Sequence, residues 1–291
     1  MKRYRWPLAL AAVVVLAFAL LFVARRPDPL PNPNGYDDFV AAGNMIVGEP
    51  WNMRTNDPIS MATFAGDNTG VVTRVRAGLA RESRVPVRMN PEWFGGHTRE
   101  LMAVGRVGST LRLLAWQSQA EGHLAEPIAL HVDRIRLGIG AARGGLWLDY
   151  RVGTTIELEA LQDIRKLSSR LGPVLCRKII QTLPETESNR DPLSSILHRD
   201  RRWTWLASGW WRSWDDTKAM LKEVLGDDDE TTASLARMSA LEVKILEARY
   251  NLSLALARRA FTLEQGRPPA SDAELVPAYL PALPPVAPPA K

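Results

Sequence analysis

The stretch DDDETTASLARMSALEVKILEARYNLSLALARRAFTLEQG, residues 227–266, decides the fold class. Asp227, Asp228, Asp229 and Glu230 crowd its start, where the partial positive charge of a helix N-terminus favours carboxylates. Leu235, Met238, Leu241, Ile245, Ala248, Leu252 and Leu256 then recur at three- and four-residue intervals, one apolar stripe over about six turns. Gly266 stops the helix, with Pro268 and Pro269 behind it. Downstream, Ser271 and Glu274 have the spacing of a capping box for a short closing helix, and a proline-rich tail fills 281–291.

Upstream the same period recurs. Tyr36, Phe39, Val40 and Ile46 predict a short amphipathic helix, and Val71, Val72, Val75 and Leu79 a second that ends near Arg81. Residues 84–97, with Pro86, Pro91 and Gly95-Gly96, read as a loop. Leu101, Val104, Val107, Leu111, Leu114 and Ala115 predict a helix over 98–119, and a partner follows over 124–139. Beyond the Gly144-Gly145 break, helices are expected over 146–169 and 173–183, then a loop at 184–192. No segment alternates at period two between turn signals, so the class is all-α: an irregular multi-helix bundle or an array of helical hairpins. No repeat at a 34-residue period supports a tetratricopeptide array.

Ahead of this domain, Trp6–Ala24 is a run of 19 uncharged residues, roughly 28 Å as a helix and close to a bilayer core. Lys2, Arg3 and Arg5 precede it; Arg25 and Arg26 follow. The stronger charge on the N-terminal side places that end in the cytoplasm and the rest of the chain outside. The rival is a cleaved signal peptide, with Ala17-Phe18-Ala19 as its site, though cleavage there would leave an apolar new N-terminus. The expected organisation is an anchor at 1–26, a proline-rich spacer at 27–35, a helical domain at 36–280 and the tail at 281–291.

The charge of +5 suggests nucleic-acid binding until it is located. Without the five basic residues that flank the anchor, 32 basic and 32 acidic residues remain, so the domain is neutral and no nucleic-acid partner is expected. The lone Cys176 excludes an intramolecular disulfide or a CxxC site, and its apolar surroundings place it in a core.

Chemical motifs are sparse. His123 and His131 lie eight apart and lack the i, i+4 spacing of a helical zinc pair, so solvated or locally bonded histidines are expected and no metal. His198-Arg199-Asp200 spells a kinase catalytic triplet without its Leu and Asn, and no glycine-rich loop precedes it. Gly138 and Gly140 have Arg143 where a dinucleotide fingerprint needs a third glycine. No catalytic residue or cofactor is assigned. The unusual feature is aromatic: Trp203, Trp205, Trp210, Trp211 and Trp214 are half of the ten tryptophans, interleaved with Arg201, Arg202 and Arg212. On a helix, Trp203, Trp210 and Trp214 share a face with Leu206 and Ala207 while Trp205 points elsewhere. Two readings stand, a core-facing ridge rimmed by arginine or a candidate interaction surface for membrane or partner.

Several segments in order carry a resemblance: NGYDDFVAAGNMI (34–46), RAGLARESRVPV (76–87), RGGLWLDYRVG (143–153) and ARYNLSLALARRAFTLEQGRPPASDAELVPAYLPALP (248–284). Together they resemble a family of membrane-anchored, helix-rich proteins of planctomycete-type bacteria. Arg249, Tyr250, Gly266, Arg267, Pro269, Leu275, Val276, Pro277, Tyr279 and Leu280 match its most specific motif; Pro268 stands where tyrosine is usual, and PPVAPPAK replaces an Asp-Pro extension. The resemblance implies no activity and no catalytic residues.

The functional expectation is a membrane-tethered scaffold or binding module of the bacterial inner membrane. It is single-pass through residues 6–24, with its N-terminus inside, its domain in the periplasm and a protein partner. The alternative is an envelope hydrolase whose carboxylates, Glu100, Glu121, Asp133, Asp149 and Glu157, meet only in the fold.

Overall fold

The computed structural model describes residues 29–53, 57–207 and 229–282. Among them are nine α-helices and no strand: α1 Gly35–Asn44, α2 Pro58–Asp67, α3 Thr69–Leu79, α4 Pro91–Ala120, α5 Ala125–Ala142, α6 Trp147–Leu167, α7 Pro173–Glu187, α8 Leu193–Ala207 and α9 Asp229–Gln265. The protein is all-α. None of the described helices is long and apolar enough to cross a membrane. The expected anchor at 6–24 lies outside the described residues, as do Trp210, Trp211, Trp214 and residues 283–291 of the tail.

Three boundaries differ from the sequence pattern. The expected loop at 84–97 is half helix, because α4 begins at Pro91. Asn90 caps it by accepting from the Trp93 N–H at 2.8 Å, and Pro91 supplies a first-turn φ that costs no hydrogen bond. Stacking of Trp93 on His97, with ring centroids 4.2 Å apart, holds a turn that Gly95 and Gly96 would otherwise weaken by roughly 1 kcal/mol each. The expected loop at 184–192 is also partly helix, since α7 runs through Pro184 to Glu187. The Ser271 side chain makes no cap. Glu274 instead accepts from the Ala270 N–H at 3.3 Å, and the closing element is a single 3-10 turn, Asp272–Leu275.

Two apolar cores share a wall. Tyr36, Phe39, Val71, Val75, Val104, Val107 and Leu111 from α1, α3 and α4 form one; Leu161, Ile164, Cys176, Ile179, Leu252 and Leu256 from α6, α7 and α9 form the other. The wall is α5. Its Leu130, Leu137 and Ala141 face the first core, while Ile128, Ile135 and Ile139 face the second. A helix that is apolar on opposite sides is one buried between layers. The most extensive packing in the fold is between α5 and α6. Gly138 and Gly153 make it possible, since a Cβ on either would run into the backbone carbonyl of the other.

The long stripe on α9 contains a surprise. Ile245, Leu252 and Leu256 are buried as expected, but between Ile245 and Leu252 the buried position is Arg249, and the expected Ala248 is only half-buried.

Candidate functional site

The five carboxylates expected to mark a hydrolase do not share a pocket. Glu157 of α6 is 0% exposed and faces two arginines. Arg190 reaches its Oε1 at 2.6 Å and Arg249 Nε reaches the same oxygen at 2.8 Å. Arg249 also donates to the Leu183 carbonyl at 2.9 Å and to Thr186 Oγ1 at 3.2 Å, so one guanidinium ties α9 to α6 and to the last carbonyls of α7. Asp133 accepts from Arg76 Nε at 2.8 Å, and Arg76 bridges on to Glu126 at 3.1 Å. Burial holds the Asp133 carboxyl above its ordinary range, and the Arg76 hydrogen bond only partly opposes this. Glu121 sits at the end of α4 and accepts from Gln117 at 3.0 Å.

Only Glu100 and Asp149 meet, and they meet on a sealed histidine. His97, 1% exposed, has Nε2 2.7 Å from Asp149 Oδ1 and Nδ1 3.3 Å from Glu100 Oε2. Asp149 Oδ2 accepts the Leu146 N–H at 2.8 Å and so caps its own helix. The chain around it is stitched further. Asp191 accepts the Gly144 N–H at 2.9 Å, Asp200 accepts the Trp147 N–H at 3.1 Å and Arg199 donates to the Gly145 carbonyl at 3.0 Å. The kinase-like triplet therefore serves as a clamp on the α5–α6 corner. Burial, more than offsetting the Trp147 hydrogen bond, holds the Asp200 carboxyl above its usual range.

A third acid, Asp163 of α6, collects Arg112 Nε at 2.9 Å, Arg134 Nη1 at 3.1 Å and Lys166 Nζ at 3.0 Å. Together these hold its carboxyl below the usual range despite burial. Arg112 and Arg134 also share Glu159, at 3.2 and 3.0 Å. This network floors an open pocket of about 630 Å³ lined by Trp116 and Gln119 of α4, His131 of α5, and Lys166 and Arg170 beyond. His131 is locally bonded, to Arg134 three residues on, and is buried at 1% exposure. His123 is exposed. Among the described residues no cluster of His, Cys, Asp and Glu could hold a metal ion.

Of the tryptophan cluster, two members fall on described residues. Trp203 packs its ring against Trp93 and Phe94, at centroid distances of 6.1 and 5.4 Å, and its Nε1 donates to the Arg88 carbonyl at 2.9 Å. Trp205 is 45% exposed. Leu206 and Ala207 are buried beside them.

Sequence reasoning missed Arg134, Arg249 and the buried state of His131. An arginine interrupting the α9 stripe was the available signal for Arg249. Nothing comparable marks His131, whose burial depends on where α4 and α6 end.

Fold and site together define an all-helical, two-core protein whose interior acids are matched by arginine or histidine. No family model, no curated protein and no solved structure matches the chain.

Proposed function

We propose that the chain is a membrane-tethered extracytoplasmic helical module that binds rather than transforms. In this reading it is held to a bacterial inner membrane by residues 6–24, with the N-terminus inside and the helices facing the periplasm. The observation that carries the non-enzymatic part is the pairing of the interior acids. General acid–base work needs a titratable group facing a space that substrate can enter. Glu157 is enclosed by Arg190 and Arg249, Glu100 and Asp149 converge only on His97, sealed under Trp93, and Asp133, which does line a pocket, is held there by Arg76. The tether rests on the uncharged 19-residue run, on the charges that flank it and on the neutrality of the remainder. The resemblance to membrane-anchored helical proteins of planctomycete-type bacteria points the same way.

A C-terminal fusion to a phosphatase that folds only outside the cytoplasm tests the topology. The expected result is phosphatase activity that sediments with membranes and resists alkaline extraction. An inactive fusion, or one washed off the membrane, would contradict the tethered orientation.

A further inference from the structure

We infer that the pocket between the last turns of α4 and α6 and the middle of α5 binds the oxyanion of a soluble small molecule, a carboxylate or a phosphate. This inference deepens the binding-module reading but does not depend on the membrane tether.

The buried histidine is the first argument. His131 Nδ1 lies 3.2 Å from Arg134 Nη1. A guanidinium has only donors, so Nδ1 accepts and the imidazole proton sits on Nε2. The ring lines the pocket, so Nε2–H is offered to a ligand oxygen there. The donor also persists across pH, because burial and then Arg134, with Arg112 and Lys166 adding, push the His131 pKa down to about 3.

Charge is the second argument. Of the charged side chains, Lys166, Arg170 and Asp163 line the pocket, while Arg112, Arg134 and Glu159 belong to the ion-pair network that holds Asp163. Both carboxylates are already held by at least two of these cations, and two positive charges are left over. Glu121, next to the rim in sequence, is bonded to Gln117. The C-terminal ends of α4 and α6 oppose an anion with about half a negative charge each, felt only within the last turn, so the balance stays positive. Lys166 is 69% exposed, and Arg170 has no ion pair among the described residues, so both can turn to a ligand.

The pocket supplies more than charge. Gln119 brings an amide, and the Trp116 ring, with the Arg112 guanidinium 4.7 Å from its centroid, gives a flat wall for the ligand body. The volume of about 630 Å³ fits a small metabolite.

Isothermal titration of the full-length chain in neutral detergent, with sodium phosphate and with succinate as probes, tests the site. Saturable binding of one or both is expected. Arg170→Glu should weaken it by at least about tenfold, the equivalent of 1.4 kcal/mol. Arg165→Glu, an exposed change of equal charge near the end of α6, should weaken it by less than about threefold. No saturable heat with either probe, or equal losses in both variants, would overturn the proposal. Competition by phosphatidylglycerol added to the micelles would overturn the soluble ligand in favour of a lipid headgroup. Saturable binding by a chain whose phosphatase fusion reports a cytoplasmic location would leave this site standing while the topology fell.

Discussion

His97 Nε2 stands 2.7 Å from Asp149 Oδ1, and both side chains are sealed from solvent. With Glu100 3.3 Å from the other ring nitrogen, acceptors face both sides of the imidazole, an arrangement satisfied only by the doubly protonated cation. Burial pulls the imidazolium pKa down, but the hydrogen bonds to Asp149 and Glu100 outweigh it and leave the group above its ordinary value of 6.5.

The sign of the pH dependence follows. A folded-state pKa above the unfolded value gives stability that is complete below about pH 6.5 and is lost as pH rises through the folded pKa. Urea unfolding midpoints should therefore fall on the alkaline side of neutrality. His97→Gln should lower stability at pH 6 and flatten that alkaline decline. An unchanged slope in the variant would assign the decline elsewhere.

His131 gives the opposite arm. Its pKa, pushed down to about 3 by burial and Arg134, means that the unfolded chain binds a proton between pH 3 and 6.5 which the folded chain refuses. Stability therefore falls as pH drops below 6.5. In His131→Gln the acid-side fall should shrink, while the alkaline arm that belongs to His97 stays. Guanidinium titrations between about pH 4 and 9 provide the comparison.

Arg249→Lys keeps the charge but loses the planar fork that serves Glu157, Leu183 and Thr186 together. Thermal unfolding should show a loss of about 2 kcal/mol, since a charge-assisted hydrogen bond contributes roughly 1.5–3 kcal/mol. A lysine variant as stable as the parent would mean that the fork is not what joins α9 to α6 and α7.

Gly153→Ala tests the α5–α6 contact. The added methyl meets the Gly138 carbonyl, a backbone atom that cannot swing away, so the helices must separate. Overpacking of this kind costs about 1–3 kcal/mol, which outweighs the roughly 1 kcal/mol by which alanine favours a helix over glycine. Gly105→Ala, where a Cβ meets nothing within 4 Å, should instead be neutral or stabilising. Circular-dichroism melts of the pair separate the two effects.

Much of the fold was legible because it rests on period. The stripes on α4 and α9 follow from the spacing of their apolar residues, and Gly144-Gly145 and Gly266 mark real stops. The helix start at Pro91 and the continuation of α7 through Pro184 were not legible, because proline reads as a breaker unless its cap or neighbours are known. Here Asn90, the Trp93–His97 stack and Arg249 decide the matter. The candidate site was less legible still. The sequence offered these carboxylates as candidates for chemistry, but the partners that hold Glu157, Asp133 and Asp149, namely Arg190, Arg249, Arg76 and His97, lie 33, 92, 57 and 52 residues away. Which acid meets which base is set by tertiary packing, and no local spacing encodes it.

The central claim is that the interior acids hold helices together and are not held in reserve for chemistry. Glu157→Gln tests it most directly, read by thermal unfolding beside Arg249→Met and the double variant. Removing one partner of a buried pair typically costs about 3–5 kcal/mol because the remaining charge is left unmatched. The single change should therefore lower Tm by roughly 10 °C, at about 2–4 °C per kcal/mol for a domain of this size. The double variant should recover more than about 1 kcal/mol relative to the sum of the singles. A Glu157→Gln protein with an unchanged Tm and no coupling to Arg249 would contradict the account, because an acid the fold can spare is free to serve another purpose.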